Sequence, residues 1–325
     1  MERKNQSEWS ELFSTLKVIS RLKPWEFISE NQLFIIHLKN RNFPIVFQMI
    51  GQMGECPGVI MYHTRRGQKI LSNLMYESIP IVDPLSYPVS QQEAAIIYFN
   101  NRDELSFEEY RLIKDLGYSF RGKHQWPSFT IFKSGEIPRE FNKSEIILFE
   151  RCLRAFLSLL SSKVFDNRKN GHYIIGEPGI EINDEFDLYE DNQLKPVPFK
   201  NKVLMKRLQK QPLEEIELEI SYVYTDMLND EDKVIPFFMI VDDEGLIFKG
   251  DYIENPKTLM NKIQRGLTEF IELFGRPKKI KVRVEDLYYE LYNLCDQLEI
   301  ELIIDINLDR FDEVYLELSQ SLDMM

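Results

Sequence analysis

The chain has 325 residues, 43% hydrophobic, 12% aromatic and 29% charged, which is too long for one ordinary core and suits two domains, with no segment poor enough in apolar residues to stay disordered. Its net charge is −13, and the charge is uneven: residues 213–325 carry 11 Lys+Arg against 27 Asp+Glu, leaving 29 and 26 for the rest. An acidic last third repels phosphate backbones and disfavours nucleic acid as its partner, while a local basic patch remains open to the first part.

The first expected element is a helix carrying Trp9, Leu12, Phe13, Leu16 and Ile19 on one stripe, with Asn5 and Glu8 as its capping box. Short strands follow at Leu33–Leu38, Pro44–Ile50 and Val59–Tyr62, the last two joined by the turn-rich segment Gly51–Gly58. A phosphate-cradling loop would run from a strand into a helix with Lys-Ser or Lys-Thr, so this strand-to-strand segment is expected to be a hairpin turn. Thr64–Met75 is expected as a helix and Ala94–Phe99 as a strand. A helix capped by Ser106 and Glu109 should end at Gly117, before a strand at Ser128–Phe132. Asn142, with Glu145 three residues on, caps a long helix to about Ser162. Residues 1–165 are thus expected as an α+β domain with a mixed sheet, and 166–212 as a connector with a hairpin.

The last domain, 213–325, is expected to be α/β. Ile216, Leu218, Ile220, Tyr222 and Tyr224 alternate with Glu217, Glu219 and Ser221 along one strand. Val234–Val241 is turned by Asp242-Asp243-Glu244-Gly245 into Leu246–Tyr252. A helix then starts at the cap Asn255 with Pro256 first, buries Met260, Ile263, Leu267, Phe270 and Phe274, and stops at Gly275. A strand (Ile280–Val284), a helix (Asp286–Gln297), a strand (Glu299–Ile304) and a helix (Asp309–Leu318) complete the order β-β-β-α-β-α-β with a final helix.

That order, three antiparallel strands followed by alternating helices and parallel strands, resembles the ribonuclease-H-like fold. In the first half, Trp25, Gly51-x-x-Gly54-Glu55 with Tyr62 and Gly67, Asn101-Arg102-x-Glu104-Leu105, and Leu116-Gly117 before Phe120-Arg121-Gly122-x-x-x-Trp126-Pro127 resemble a bacterial two-domain family of unknown function. That second resemblance implies no activity. The first implies a nuclease holding two Mg²⁺ on carboxylates from strand one, the early first helix and the end of strand four. Glu219 or Asp226 would serve strand one and Asp286 strand four, Asp286 serving equally as a helix cap. The helix supplies Lys257, Lys262 and Arg265 in its early turns and no acid, so the expectation is a catalytically inactive domain with no metal and no cofactor.

The remaining candidate is Arg121, Lys123 and His124 interleaved with Trp126, a pattern able to hold an anion, a nucleotide or a single strand by charge and stacking. Its alternative is a turn with Trp126 in the core and solvated cations. Cys56, Cys152 and Cys295, like the four histidines, are scattered, without metal or disulfide spacing. The longest apolar run, Ile146–Leu160, is broken by Glu150, Arg151 and Arg154 and is too short for a bilayer, and the amino terminus lacks the apolar core of a signal peptide. The expectation is a cytoplasmic, non-catalytic protein acting through a protein partner, away from membranes. The alternatives are a metal-dependent nuclease or nucleotide-processing enzyme using the last domain's carboxylates, or a nucleic-acid binder using Arg121–Trp126.

Overall fold

The computed structural model of the chain describes residues 6–39, 41–54, 56–75, 92–166, 172–176, 180–183 and 196–323. They fall into two compact units, the main break lying at residues 190/191, each with its own mixed sheet and core. Among the described residues there are eight α-helices. Asn5, Glu55, Glu177-Pro178-Gly179 and Lys195, which the sequence marks as cap, loop or turn residues, lie outside the described set.

The first unit's sheet has seven strands: β1 (Leu33–Ile36), β2 (Ile45–Ile50), β3 (Gly58–Tyr62), β4 (Ala94–Asn100), β5 (Trp126–Phe132), β6 (His172–Ile175) and β7 (Ile180–Asn183). Their order is β5-β4-β3-β2-β1-β6-β7, antiparallel throughout except where β1 lies parallel to β6. Successive side chains leave a strand on opposite faces, so β2 sends Ile45, Phe47 and Met49 one way and Val46 the other. The first face is covered by α1 (Gln6–Leu22) and α4 (Lys143–Leu160), between which lie α2 (Arg65–Met75) and α3 (Phe107–Asp115) in the chain. All five residues of the expected α1 stripe are buried there, with Phe149, Leu153 and Phe156 of α4. Leu71 of α2 closes the smaller cluster on the other face with Leu33, Ile35, Val46 and Tyr62. Ser106 and Asn142 cap α3 and α4 as the sequence indicates, each in a reciprocal box with the glutamate three residues on. β2 and β3 pair as a hairpin, as the sequence indicates, and the start of its turn is held by Glu30, whose Oε1 accepts from the Gly51 and Gln52 N–H at 2.8 and 3.0 Å.

The segment 166–212 is more than a connector. Its hairpin, β6–β7, extends the first sheet, and it contains the helix α5 (Lys202–Leu208), capped by Asn201 and burying Met205 and Leu208 in the second core.

The second unit's sheet has five strands: β8 (Leu213–Leu228), β9 (Val234–Asp242), β10 (Ile247–Tyr252), β11 (Arg276–Val282) and β12 (Glu301–Ile304). They lie in the order β10-β9-β8-β11-β12, β8–β9–β10 antiparallel and β8–β11–β12 parallel. One face is covered by α6 (Leu259–Phe274) and α7 (Glu285–Gln297), burying Ile263, Leu267, Phe270, Leu287, Leu291 and Leu294 against Leu218, Ile220, Ile240 and Ile280. Part of the other is covered by α8 (Asp309–Asp323), whose Phe311 packs on Met239 and Val241. Pro256 opens a single 3₁₀ turn at the Asn255 cap before α6 begins. Gly275 ends α6 at φ 99°, where a side-chain carbon would meet the Pro212 carbonyl at 3.0 Å. Among the boundaries that differ from the sequence expectation, the starts of β11 and α7 bear on the site. β11 begins at Arg276, four residues early, because its lysines pair across the sheet instead of forming a turn. α7 begins at Glu285 with Val284 at the cap position, so Asp286 is a first-turn residue and not the cap.

Candidate functional site

Gly122 at φ 105° and His124 at φ 54° bend the segment between α3 and β5. A non-glycine residue in the left-handed region is uncommon and needs support. The His124 N–H donates to Asn101 Oδ1 at 3.2 Å, and Gln125 Nε2 donates to the Ser20 carbonyl at 2.7 Å. Trp126 opens β5 and is 6% exposed, packed between Phe120 and Tyr110 with ring centroids 6.0 and 5.8 Å away. Arg121 and Lys123 are exposed and have no hydrogen-bond or ion-pair partner among the described residues, while His124 is half-buried. The loop thus presents charge, with Trp126 in the core beneath it and little of its ring open to stacking. Two further cations accompany it: the Arg102 guanidinium lies 4.9 Å and the Lys114 Nζ 5.6 Å from the centre of Tyr110, the ring packed on Trp126. The (i, i+4) spacing of Tyr110 and Lys114 is the sequence signal that could have found the second.

The second unit's carboxylates do other work. Glu219, 6% exposed, leaves β8 on the α8 side, and its Oε2 accepts from the Arg310 and Phe311 N–H groups at 2.9 Å each, filling the amino terminus of α8. Burial outweighs those donors and Lys281, and raises its pKa above the ordinary carboxylate value. Asp286 is exposed on the first turn of α7, and the side chain of Asp226 lies outside the described set. Glu269 sits between Lys249 and Arg265, too far along α6 to serve the sheet edge. Among the described residues no group of three His, Cys, Asp or Glu is placed to hold a metal ion. The thiols of Cys152 and Cys295 are buried, which pushes their pKa up to about 12 and leaves them protonated. His172 is buried with Nδ1 accepting the Leu33 N–H at 3.1 Å, a bond that ties β6 to β1.

On the second unit's sheet, Lys279 lies between Glu217 (3.8 Å) and Glu301 (3.5 Å), and Lys281 is 3.7 Å from both Glu217 and Glu219. These rows follow the register Lys279↔Glu217 and Lys281↔Glu219. Farther along, Arg283 and Asp312 form a buried ion pair, their side chains 3% and 7% exposed, which closes the face under α8. Exposed acids gather beside these rows as well, around α8, which covers part of the same face. The β9–β10 turn carries the exposed Asp243 and Glu244 and is placed beside α8, where Gly245 approaches Val314. Exposed Asp309, Glu313 and Glu317 of α8 continue it, with Arg310 paired to Glu313.

A family model described as a domain of unknown function, DUF7309, matches residues 9–172, and a second, DUF6930, matches residues 204–319. No curated protein matches the sequence. Among solved structures, the chain is similar to one in the cryo-electron microscopy structure of a simian T-cell lymphotropic virus intasome in complex with PP2A regulatory subunit B56 gamma. The likeness has 14% identity over 32% of this chain and 37% of that one, with a TM-score of 0.23, and carries no argument about fold or function. Among the described residues no helix is long and apolar enough to cross a membrane.

Proposed function

We propose a binding role without catalysis, starting from the premise that the chain belongs to the DUF7309 family, a family of unknown function whose model spans half of it. In this reading the protein works in the cytoplasm by docking the acids around α8 and the β9–β10 turn of its second domain onto the basic surface of a protein partner. The observation that carries it is the engagement of Glu219. The inward-facing acid of the first strand, which a nuclease would need for metal, is committed to the amino terminus of α8. With Glu217 held by two lysines, the exposed acids offered to a partner in this reading are Asp243 and Glu244 of the β9–β10 turn and Asp309, Glu313 and Glu317 of α8. Charge of one sign on one side favours encounter with a complementary surface and fixes its orientation.

The same reading takes the second domain as a ribonuclease-H-like fold that has lost its site. The support is the sheet order, with strand one central, strands two and three antiparallel on one side and four and five parallel on the other. The test is incubation of the full chain with single-stranded DNA, duplex DNA and RNA–DNA hybrid in Mg²⁺ or Mn²⁺. Intact substrates are expected; cleavage that disappears in Asp286→Asn would restore the enzyme reading.

A second reading has its own observation. Arg121 and Lys123 stand exposed and unpaired among the described residues on a loop fixed by the Asn101 and Ser20 bonds, as a site for an anionic ligand of the first domain requires.

A further inference from the structure

We propose that the protein forms a two-fold homodimer by pairing β10 with β10 of a second copy, antiparallel about Gly250. β10 ends its sheet, with β9 as its only neighbour among the described strands. Its backbone shows which groups are spare. The Ile253 N–H donates to the Pro236 carbonyl at 2.9 Å, toward β9, so the alternation of an antiparallel ladder turns the N–H and C=O of Tyr252 and Gly250 away from the sheet. Gly250 and Tyr252 are exposed. Edge strands of this kind are templates for pairing unless something blocks them.

The side chains select the occupant. An antiparallel copy centred on Gly250 sets each Lys249 opposite Asp251 of the second copy and each Asp251 opposite its Lys249. Both residues lie on the α6 side, where Lys249 pairs with Glu269 and Asp251 with Lys262 at 2.9 Å, so the cross-strand pairs would join two existing ion pairs into one row. The strand is therefore complementary in charge to itself. The same centring puts the outward backbone groups of Gly250 opposite each other, in hydrogen-bonding phase, and glycine places no large side chain at the axis. Leu246, Ile247 and Tyr252 on this edge, and Phe274, whose ring lies 5.6 Å from that of Phe248, are exposed and supply apolar surface for a partner to cover. This surface adjoins the acidic β9–β10 turn, but the variants that test it, at positions 249, 250 and 251, differ from those that test docking, so the two readings stand or fall separately.

Sedimentation velocity of the full chain from micromolar to millimolar concentration should show a reversible shift from monomer to dimer mass. Gly250→Pro removes an N–H that β9 does not use and should leave a monomer with an unchanged circular dichroism spectrum. Lys249→Glu and Asp251→Lys should each stay monomeric, since each faces like charge with like, and mixing them should restore the dimer because both cross-strand pairs are then opposite in sign. In a Cys56→Ser background, Gly250→Cys should cross-link on oxidation, because facing residues at this position stand about 5.5 Å apart between Cα atoms, within disulfide reach. A chain that stays monomeric at every concentration overturns the proposal. So does a dimer that persists in Gly250→Pro, or single charge variants that fail to rescue each other; if Gly250→Pro does not fold, the mixing arm decides alone.

Discussion

Arg121 and Lys123 are exposed and without a hydrogen-bond or ion-pair partner among the described residues. Replacing both by alanine should leave the thermal midpoint unchanged, because exposed charges without partners contribute little to stability. Binding of a single-stranded oligonucleotide at low salt should weaken. The slope of log affinity against log salt should fall by roughly 0.7 for each phosphate no longer neutralised, about 1.4 for two. A large loss of stability with unchanged binding would mark the pair as structural. Stacking on Trp126 is the half of the sequence expectation that the fold does not support, since that ring is core. A tryptophan beside cations gives no sign in the sequence of which way its ring turns.

Glu219 was legible as an alternating polar residue on a strand, but its role was not, because the N–H groups it accepts from belong to residues 310 and 311. Glu219→Ala should orphan both donors and cost about 0.5–2 kcal/mol in urea unfolding, the range for loss of a helix cap. The pH dependence has a definite sign. Burial raises the folded pKa above the unfolded value, so the folded state holds its proton longer. The contribution of this one group to stability is therefore fully present below the ordinary carboxylate range and is lost as pH rises through the folded pKa. Glu219→Gln should flatten that part of the stability profile, and a profile unchanged in Glu219→Gln would show that the carboxyl carries no such shift.

At the scale of elements, what the sequence announces is what lies close in it. The boxes at Ser106 and Asn142 and the Asp242–Gly245 turn connect residues a few positions apart, and each is found where the spacing places it. Asn142→Ala should therefore lower stability by about 1 kcal/mol with the cores intact. A larger loss with altered near-ultraviolet dichroism would mean that the cap also supports the sheet edge. What the sequence conceals depends on distant partners. β6 joins the first sheet through a parallel pairing with β1 across more than 130 residues, and nothing local announces that choice. The start of β11, Arg276-Pro277-Lys278-Lys279, has the composition of a turn, yet Glu215, Glu217 and Glu301 neutralise its lysines and make it a strand. α5 is short and sits among charged residues, and Met205 and Leu208, with the half-buried Leu204, tie it to a core.

For the whole molecule, the uneven charge read from the sequence becomes a geometric statement. The second unit's sheet carries lysines and glutamates paired in rows, and α8 with the β9–β10 turn brings five exposed acids, Asp243, Glu244, Asp309, Glu313 and Glu317, to one region. The two-domain organisation and the order of elements in the second unit were legible because each core has its own hydrophobic period. The partner was not, because net charge identifies a class of surface and nothing finer. Whether the acidic region is a docking surface is tested most directly by titrating the full chain with a Lys/Arg-rich peptide at low and at physiological salt. The parent chain is compared with the double variant Asp243→Lys, Glu244→Lys, whose exposed turn tolerates the change. A docking surface there predicts binding that weakens with salt and drops about tenfold, ~1.4 kcal/mol, in the variant. No binding at low salt, or equal affinity for the parent and the variant, would contradict it.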